Sequence, residues 1–288
     1  MPNGIFVIDK PSDWTSHDVV AKLRGILREK RIGHGGTLDP MATGMLPIFV
    51  GQATRAVEFS ENAPKEYVAT LRLGTVTDTQ DITGTVTSTH EVSATLHDLQ
   101  AILPQFTGVI SQIPPMYSAI KIQGKKLYEL ARKGKEVDRP ARQITIYELE
   151  LLEQVSPTDY RLRVVCSKGT YIRTLAHDMG QVLGCGATLT ALRRTQAAGF
   201  TQADAVTLEQ VQAQGADLLL PTEYFFKTHP SYTIPSTKQE ARCRNGNTVL
   251  APELADGTYR IYGQDGTFLA FSRCENGVLT SIKNFFGA

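Results

Sequence analysis

Asp39 is the side chain of this sequence best placed for chemistry. It lies in the run Gly33-His34-Gly35-Gly36-Thr37-Leu38-Asp39-Pro40-Met41-Ala42-Thr43-Gly44. Pro40 biases its backbone away from helix, and the glycines permit sharp turns and a close approach of main chain to a ligand. A short acid on such a loop suits a nucleophile or a general base. Taken alone, the plainer reading is an aspartate that stabilises its own turn through backbone hydrogen bonds. By the same standard Tyr67 and Tyr171 are strand aromatics packing a core, His34 is a loop histidine, and Arg173 is a solvated cation at a helix start. Asp78 and Asp81 suggest a calcium loop, but no glutamate follows at the twelfth position, so turn structure fits better. Cys166, Cys185, Cys243 and Cys274 are scattered without a C-x-x-C pair, and the histidines form no H-E-x-x-H cluster. Neither a disulfide framework nor a metal site is expected.

The elements that must hold these residues show in the periodicity. Gly4 to Asp9 is a short apolar run halted by Lys10-Pro11 and reads as a strand entering a turn. Thr15 or Ser16 caps a helix with Asp18 in its first turn and Val19, Val20, Leu23, Ile26 and Leu27 at helical spacing. Met45–Val50, the strictly alternating Tyr67–Leu73, Thr85–Thr89, Ile144–Leu152 and Tyr160–Cys166 read as strands. A short helix around Leu96–Leu103 stops at Pro104. Thr170 to Leu183 reads as a helix with Ile172, Leu175, Met179 and Val182 on one stripe. A boundary is expected near Lys227–Pro230. Beyond it Thr258–Tyr262, Thr267–Ser272 and Val278–Lys283 form an antiparallel module joined by tight turns. Strands and helices interleave without a βαβ rhythm, which predicts α+β rather than a doubly wound sheet.

At 288 residues the chain is longer than one typical domain, and 41% hydrophobic with 20% charged residues is the composition of a soluble globular protein. No stretch approaches a membrane span, and the start of the sequence carries no signal pattern, so a cytoplasmic protein is expected. The formal net charge of +1 conceals an uneven distribution. Lys121, Lys125, Lys126, Arg132, Lys133, Lys135, Arg139 and Arg142 crowd one segment, while Thr195 to Phe226 holds no Lys or Arg. Local fields steer an anionic polymer, although charge by itself reads more plainly as a solvated face.

The Gly33–Pro47 loop closely resembles the catalytic motif of the TruB-type family, the bacterial tRNA pseudouridine-55 synthases. Further blocks resemble that family in its own order: Ile8-Asp9-Lys10-Pro11 with Thr15-Ser16, Lys65-Glu66-Tyr67, Gly74 with Thr77-Asp78-Thr79 and Asp81, Gln112 to Ala119, Cys166 to Arg173, and Leu192-Arg193-Arg194. Together they span roughly the first 195 residues. Asp13 departs from the pattern, standing where the family usually has a glycine.

The resemblance implies an α+β fold: a mixed, mainly antiparallel sheet with flanking helices, plus a small C-terminal β-rich, PUA-like domain. It implies a catalytic domain over residues 1–227, carrying a basic insertion at about 112–142 that closes over the tRNA T-arm, and an RNA-binding domain over 228–288. Asp39 matches the essential aspartate, His34 the histidine that helps extrude the uridine, and Tyr67 the ring that stacks on the flipped base and serves at carbon 5. Arg173 matches the partner of the aspartate, with Tyr171 one strand-face repeat away. Leu192 matches an apolar wall of the base pocket, and Arg55 a basic position near the RNA. Lys121, Lys125 and Lys126 suit phosphate contacts that position rather than specify. The implied reaction turns a T-loop uridine of tRNA into pseudouridine without cofactor, metal or obligatory protein partner, in a monomer. Flipping a base costs a few kcal/mol, and stacking on one aromatic ring returns about 1–3 kcal/mol. A tRNA-folding role that needs no chemistry is a second reading and is compatible with the first. A glycoside hydrolase is a third, weakened because no second acid stands in a partner motif.

Overall fold

The computed structural model describes residues 1–122 and 124–286, and within them hydrophobic alternation resolves into two separate sheets and two short hairpins. The main sheet runs β13 (Ala205–Val206), β1 (Gly4–Lys10), β3 (Thr43–Val50), β12 (Ala187–Ala197), β4 (Lys65–Leu73), β11 (Asp159–Cys166), β10 (Arg142–Gln154) and β7 (Gly108–Gln112), with β2 (Ile32–His34) beside β3. Only the β1–β13 and β3–β12 pairs are parallel in it, so the sheet is mixed and mainly antiparallel. The hairpins are β5 (Thr75–Thr77) with β6 (Val86–Thr89), and β8 (Lys121–Ile122) with β9 (Lys125–Lys126).

The helices are α1 (Ser16–Leu27), α2 (Val57–Asn62), α3 (Leu96–Ile102), α4 (Leu127–Ala131), α5 (Ile172–Val182), α6 (Leu208–Gln214) and α7 (Thr237–Arg244). Thr15 caps α1 reciprocally with Asp18, satisfying two of the amides that a helix start leaves free, and Val19, Val20 and Leu23 are buried. On β4 the period-2 pattern buries Tyr67, Ala69, Leu71 and Leu73 against α5 and its neighbours. The expected stripe of α5 holds for Ile172, Leu175 and Met179 but not for Val182, which is 51% exposed. Val182 falls in the last turn, where the chain departs through Gly184 at φ 77°.

Asp13 adopts φ 65°, the left-handed backbone that glycine enters without strain and aspartate enters more readily than most residues. The departure from the family pattern therefore keeps the turn.

The second sheet runs β14 (Ser231–Thr233), β16 (Gly257–Tyr262), β17 (Phe268–Glu275), β18 (Val278–Asn284) and β15 (Val249–Leu250). Ile234, Cys243, Ile261, Leu269, Cys274 and Leu279 give it a small core of its own. A separate cluster, with Ile5, Val7, Met45 and Phe49 from the main sheet and Phe226, Phe268, Phe271 and Phe285 toward the C-terminus, joins the two sheets. Among the described residues no helix is long and apolar enough to cross a membrane.

Candidate active site

Two strands and two buried cations set the shape of the loop that carries Asp39. β2 and β3 pair antiparallel on either side of it, with His34 opposite Ile48. The Leu38 amide donates to Ser16 Oγ at 2.9 Å. The Pro40 carbonyl accepts from the Asp13 amide at 2.8 Å and from Lys10 Nζ at 3.1 Å. Lys10 is wholly buried and also donates to the carbonyls of Pro11 and Trp14. Burial lowers its pKa to about 8, against the opposing pull of Asp39. On the other side Arg194 donates from Nε to Met45 O at 2.7 Å, and from its terminal nitrogens to Gly36 O and Thr37 O at 3.2 and 3.4 Å. Gly44, at φ 101°, is required here because a Cβ would lie 2.2 Å from the Arg194 carbonyl oxygen. The backbone is thus gripped before and after the acid, which is how a loop becomes a rigid support.

Arg173 reaches this loop from the first turn of α5. Its Nε lies 2.8 Å from Asp39 Oδ2, and a terminal nitrogen donates to Oδ1 at 3.2 Å, a two-pronged contact. The same guanidinium donates to Thr79 O at 2.9 Å and Tyr117 O at 3.0 Å, and lies 3.4 Å from Asp81 Oδ2. Arg173 is 4% exposed, so these partners matter: a buried cation without them is costly. Asp81 is itself buried and accepts from Thr79 Oγ1, the Thr83 amide and Thr83 Oγ1. The turn reading of Asp81 is correct but incomplete, because the turn delivers a second carboxylate to the arginine of Asp39.

Asp39 keeps 33% of its side-chain surface open. Its pKa is nevertheless pushed above the usual carboxylate range by burial, with Arg173 opposing and Asp81 reinforcing the rise. The guanidinium offsets the desolvation of the acid rather than overriding it.

Tyr67 and Leu192 share a face. β4 and β12 pair with Tyr67 opposite Arg194, Val68 opposite Arg193 and Ala69 opposite Leu192. Alternation then puts Tyr67, Leu192 and Arg194 on the buried side and Val68 and Arg193 on the other. Burial raises the Tyr67 pKa, and Arg194 pulls it back in part. His34 is half-buried, meets His17 edge to face at 5.4 Å, and among the described residues has no partner for its buried Nδ1. Burial lowers its pKa to about 4, so the ring is neutral near pH 7.

Tyr171 is not on a strand face with Arg173. It is the N-cap of α5, and its backbone amide and carbonyl are both bonded to the side chain of Gln112. Arg55 is exposed and donates to the Asn284 carbonyl at 2.9 Å, which places it at the junction with the C-terminal sheet. Lys121 and Lys125 are exposed on the β8–β9 hairpin, while half-buried Lys126 donates to the Tyr128 hydroxyl at 3.0 Å. This hairpin reaches the site through its base: the Leu127 and Tyr128 amides bond Ile120 O and Ser118 O, next to the Tyr117 carbonyl that Arg173 holds.

Lys10, Asp81 and Arg194 are the residues that reading for chemistry overlooked. Each lies in a block of resemblance, but its role depends on contacts that only the fold makes. Two cavities, of about 590 and 610 Å³, lie elsewhere. The second is lined by Asp13, Met41, Val68, Leu192 and Arg193, and neither includes Asp39, Tyr67 or Arg173. With Tyr67 only 7% exposed, a ring can stack on it only after the cleft opens.

Solved structures share this architecture. One described as a Cbf5-Nop10-Gar1 complex matches with a TM-score of 0.75 at 26% identity, over 99% of this chain and 85% of that one. One described as the archaeal box H/ACA sRNP Nop10-Cbf5 complex matches with a TM-score of 0.68 at 25% identity, over 99% and 86%. These likenesses, with the mixed sheet and the separate β-rich domain, define a pseudouridine synthase fold.

The sequence model described as the N-terminal domain of the TruB family pseudouridylate synthases matches residues 24–172. That of the tRNA pseudouridylate synthase B C-terminal domain matches residues 173–227. The tRNA pseudouridine synthase B of Alkaliphilus oremlandii (strain OhILAs) is 44% identical over 265 residues, covering 91% of this chain and 88% of the relative. That of Geobacillus thermodenitrificans (strain NG80-2) is 45% identical over 262 residues, covering 87% and 86%. The chain belongs to the TruB pseudouridylate synthase family and is an isomerase.

Proposed function

We propose that the protein converts a uridine in the T-loop of tRNA to pseudouridine, with Asp39 as its catalytic residue. The observation that carries this reading is the two-pronged Asp39–Arg173 pair, its acid one-third exposed, beside the strand face of Tyr67 and Leu192. The reaction breaks the N1–C1′ bond, turns the base and forms a C5–C1′ bond. No atom is imported and no electron leaves, so side chains suffice. Arg173 favours the ionised acid that attack on the sugar or base, or removal of a proton, requires. Tyr67 and Leu192 would enclose the extruded base, and neutral His34 would take the space it leaves in the RNA. Residues 1–227 would act as the catalytic domain and 228–288 as an RNA-binding domain. Lys121, Lys125 and Lys126 would meet phosphates of the T-arm.

Incubating the protein with an unmodified tRNA transcript and mapping the product tests this reading. Pseudouridine at a single T-loop uridine is expected. Pseudouridine only in another arm, or none, would contradict the assignment.

A further inference from the structure

The start of α5, which carries Arg173, is fastened from outside the helix. α1, α3 and α6 each cap themselves, a threonine and the acid or amide three residues on bonding each other's backbone amides. The N-cap of α5 is Tyr171, which makes no side-chain cap bond, and Thr174, three residues on, donates its hydroxyl to Gln80 Oε1 at 2.7 Å instead. The capping role falls to Gln112, at the end of β7. Its Oε1 accepts from the Tyr171 amide at 2.9 Å, and its Nε2 donates to the Tyr171 carbonyl at 3.1 Å. Gln112 is 2% exposed, and both halves of its amide are committed to this one residue. A helix that caps itself gains stability without gaining a fixed place, whereas one held from a neighbouring strand gains both. Gln80 belongs to the turn that delivers Asp81, and its carbonyl accepts from the Leu189 amide of β12 at 3.1 Å. Arg173 lies between Tyr171 and Thr174, so both of its prongs on Asp39 depend on where that turn of helix sits.

We propose that Gln112 is a positioning residue for the reaction: its amide fixes the first turn of α5 so that the Arg173 guanidinium meets both oxygens of Asp39. The inference rests on the reading of Asp39 as the catalytic acid of a uridine isomerase. Arginine is long, so a small tilt of its backbone anchor is carried out to the guanidinium. A misplacement of about 1 Å at a catalytic contact can slow a reaction about 100-fold. The groups that face Asp39 are Arg173 from α5, Asp81 from its turn, Lys10 from β1, Tyr67 from β4, and Tyr171. Burial raises both tyrosines and keeps them neutral near pH 7, while Lys10, at about 8, is still charged there. Arg173 is the main opponent of the upward push that burial gives Asp39, so slackening its hold lets the acid rise further. Gln112 also stands where the basic insertion leaves β7, paired with Arg142 of β10. A glutamine serving only the insertion would act on the grip on RNA and leave the acid alone.

The test is a double-mutant cycle of Gln112→Met and Arg173→Lys, read by tRNA affinity and by single-turnover rate from about pH 5 to about 7.5. An Asp178→Asn background silences the other acid of α5 that titrates in that range. Methionine keeps the length of the side chain and removes both bonds. Gln112→Met is expected to slow the rate at pH 7 about 30-fold, with affinity within about threefold, and to move the acid limb of the rate up by about one unit. Lysine presents no fork to be aimed, so in the Arg173→Lys background Gln112→Met should slow the rate less than about threefold further. Equal losses in both backgrounds, an unmoved acid limb, or an affinity loss matching the rate loss would leave Gln112 as a prop for the core or the insertion and overturn the proposal. Should Gln112→Met fail to fold, Gln112→Asn, whose amide stops one methylene short, is carried through the same cycle with the same expectations. A wild type that makes no pseudouridine, or an Asp39→Asn variant that keeps its rate, would instead overturn the reading beneath it.

Discussion

At the scale of single residues, burial raises the pKa of two aspartates that have different neighbours. Asp39 has Arg173 to oppose its desolvation, whereas burial alone raises Asp178 to a pKa of about 6. Between an unfolded value near 4 and this folded value, the folded state holds a proton that the unfolded chain has released. Stability therefore falls as pH rises from about 4 to about 6, by roughly 1 kcal/mol once the partial exposure of the group is allowed for. Asp178→Asn is expected to be more stable than wild type at pH 7 by most of that amount, with the gap closing near pH 4. Urea unfolding at both pH values measures it, and a gap independent of pH would contradict the expectation. Asp39 stood out in the sequence because Gly-rich loops and Asp-Pro turns advertise themselves. Its partner did not, since Arg173 lies 134 residues away and nothing local distinguishes it from a solvated helix-start arginine. Asp81 was hidden differently, behind a sound turn reading whose second consequence needs α5 in place.

At the scale of elements, α1, β4, β10 and β11 were legible because each buries one face and so must repeat at 3.6 or 2 residues. The short β13, β14 and β15 were not, because two or three residues carry no period. Tyr171 was misplaced for a related reason: it ends the extended chain, and a helix begins at the next residue. The hairpin and α4 that follow Tyr117 bear on function directly. Among the described residues Lys121, Lys125, Lys126 and Lys133 take part in no ion pair, so their charges remain for phosphate. Replacing Lys125, Lys126 and Lys133 by glutamine should weaken tRNA binding and lower the slope of log affinity against log salt by about one for each phosphate no longer neutralised. An unchanged slope would place the RNA elsewhere.

At the scale of the whole molecule, what ties the two sheets together is aromatic. Phe226 stacks on Phe271 at 4.4 Å and meets Phe225, Phe59 and Phe285 at 5.0, 5.5 and 5.6 Å. Lys283 pairs with Glu58, and Arg55 holds the Asn284 carbonyl, at the rim of the same contact. The β texture of the C-terminal module was readable, but its docking was not, because the contributing phenylalanines are spread from Phe49 to Phe285. Phe226→Ala should cost about 3–5 kcal/mol and speed amide exchange in β16–β18 before it affects β4 or β12. A loss below about 1 kcal/mol would show that the sheets stand independently.

All of this architecture converges on one acid, and removing its capacity to ionise while keeping its shape is the direct test. Asp39→Asn leaves the loop bonds to Lys10, Asp13 and Arg194 in place, because they are made to backbone carbonyls. Single-turnover assay of that variant on unmodified tRNA transcript is predicted to give no pseudouridine, a rate loss beyond about a thousandfold, with tRNA affinity retained. Product formed at close to the wild-type rate would contradict the account.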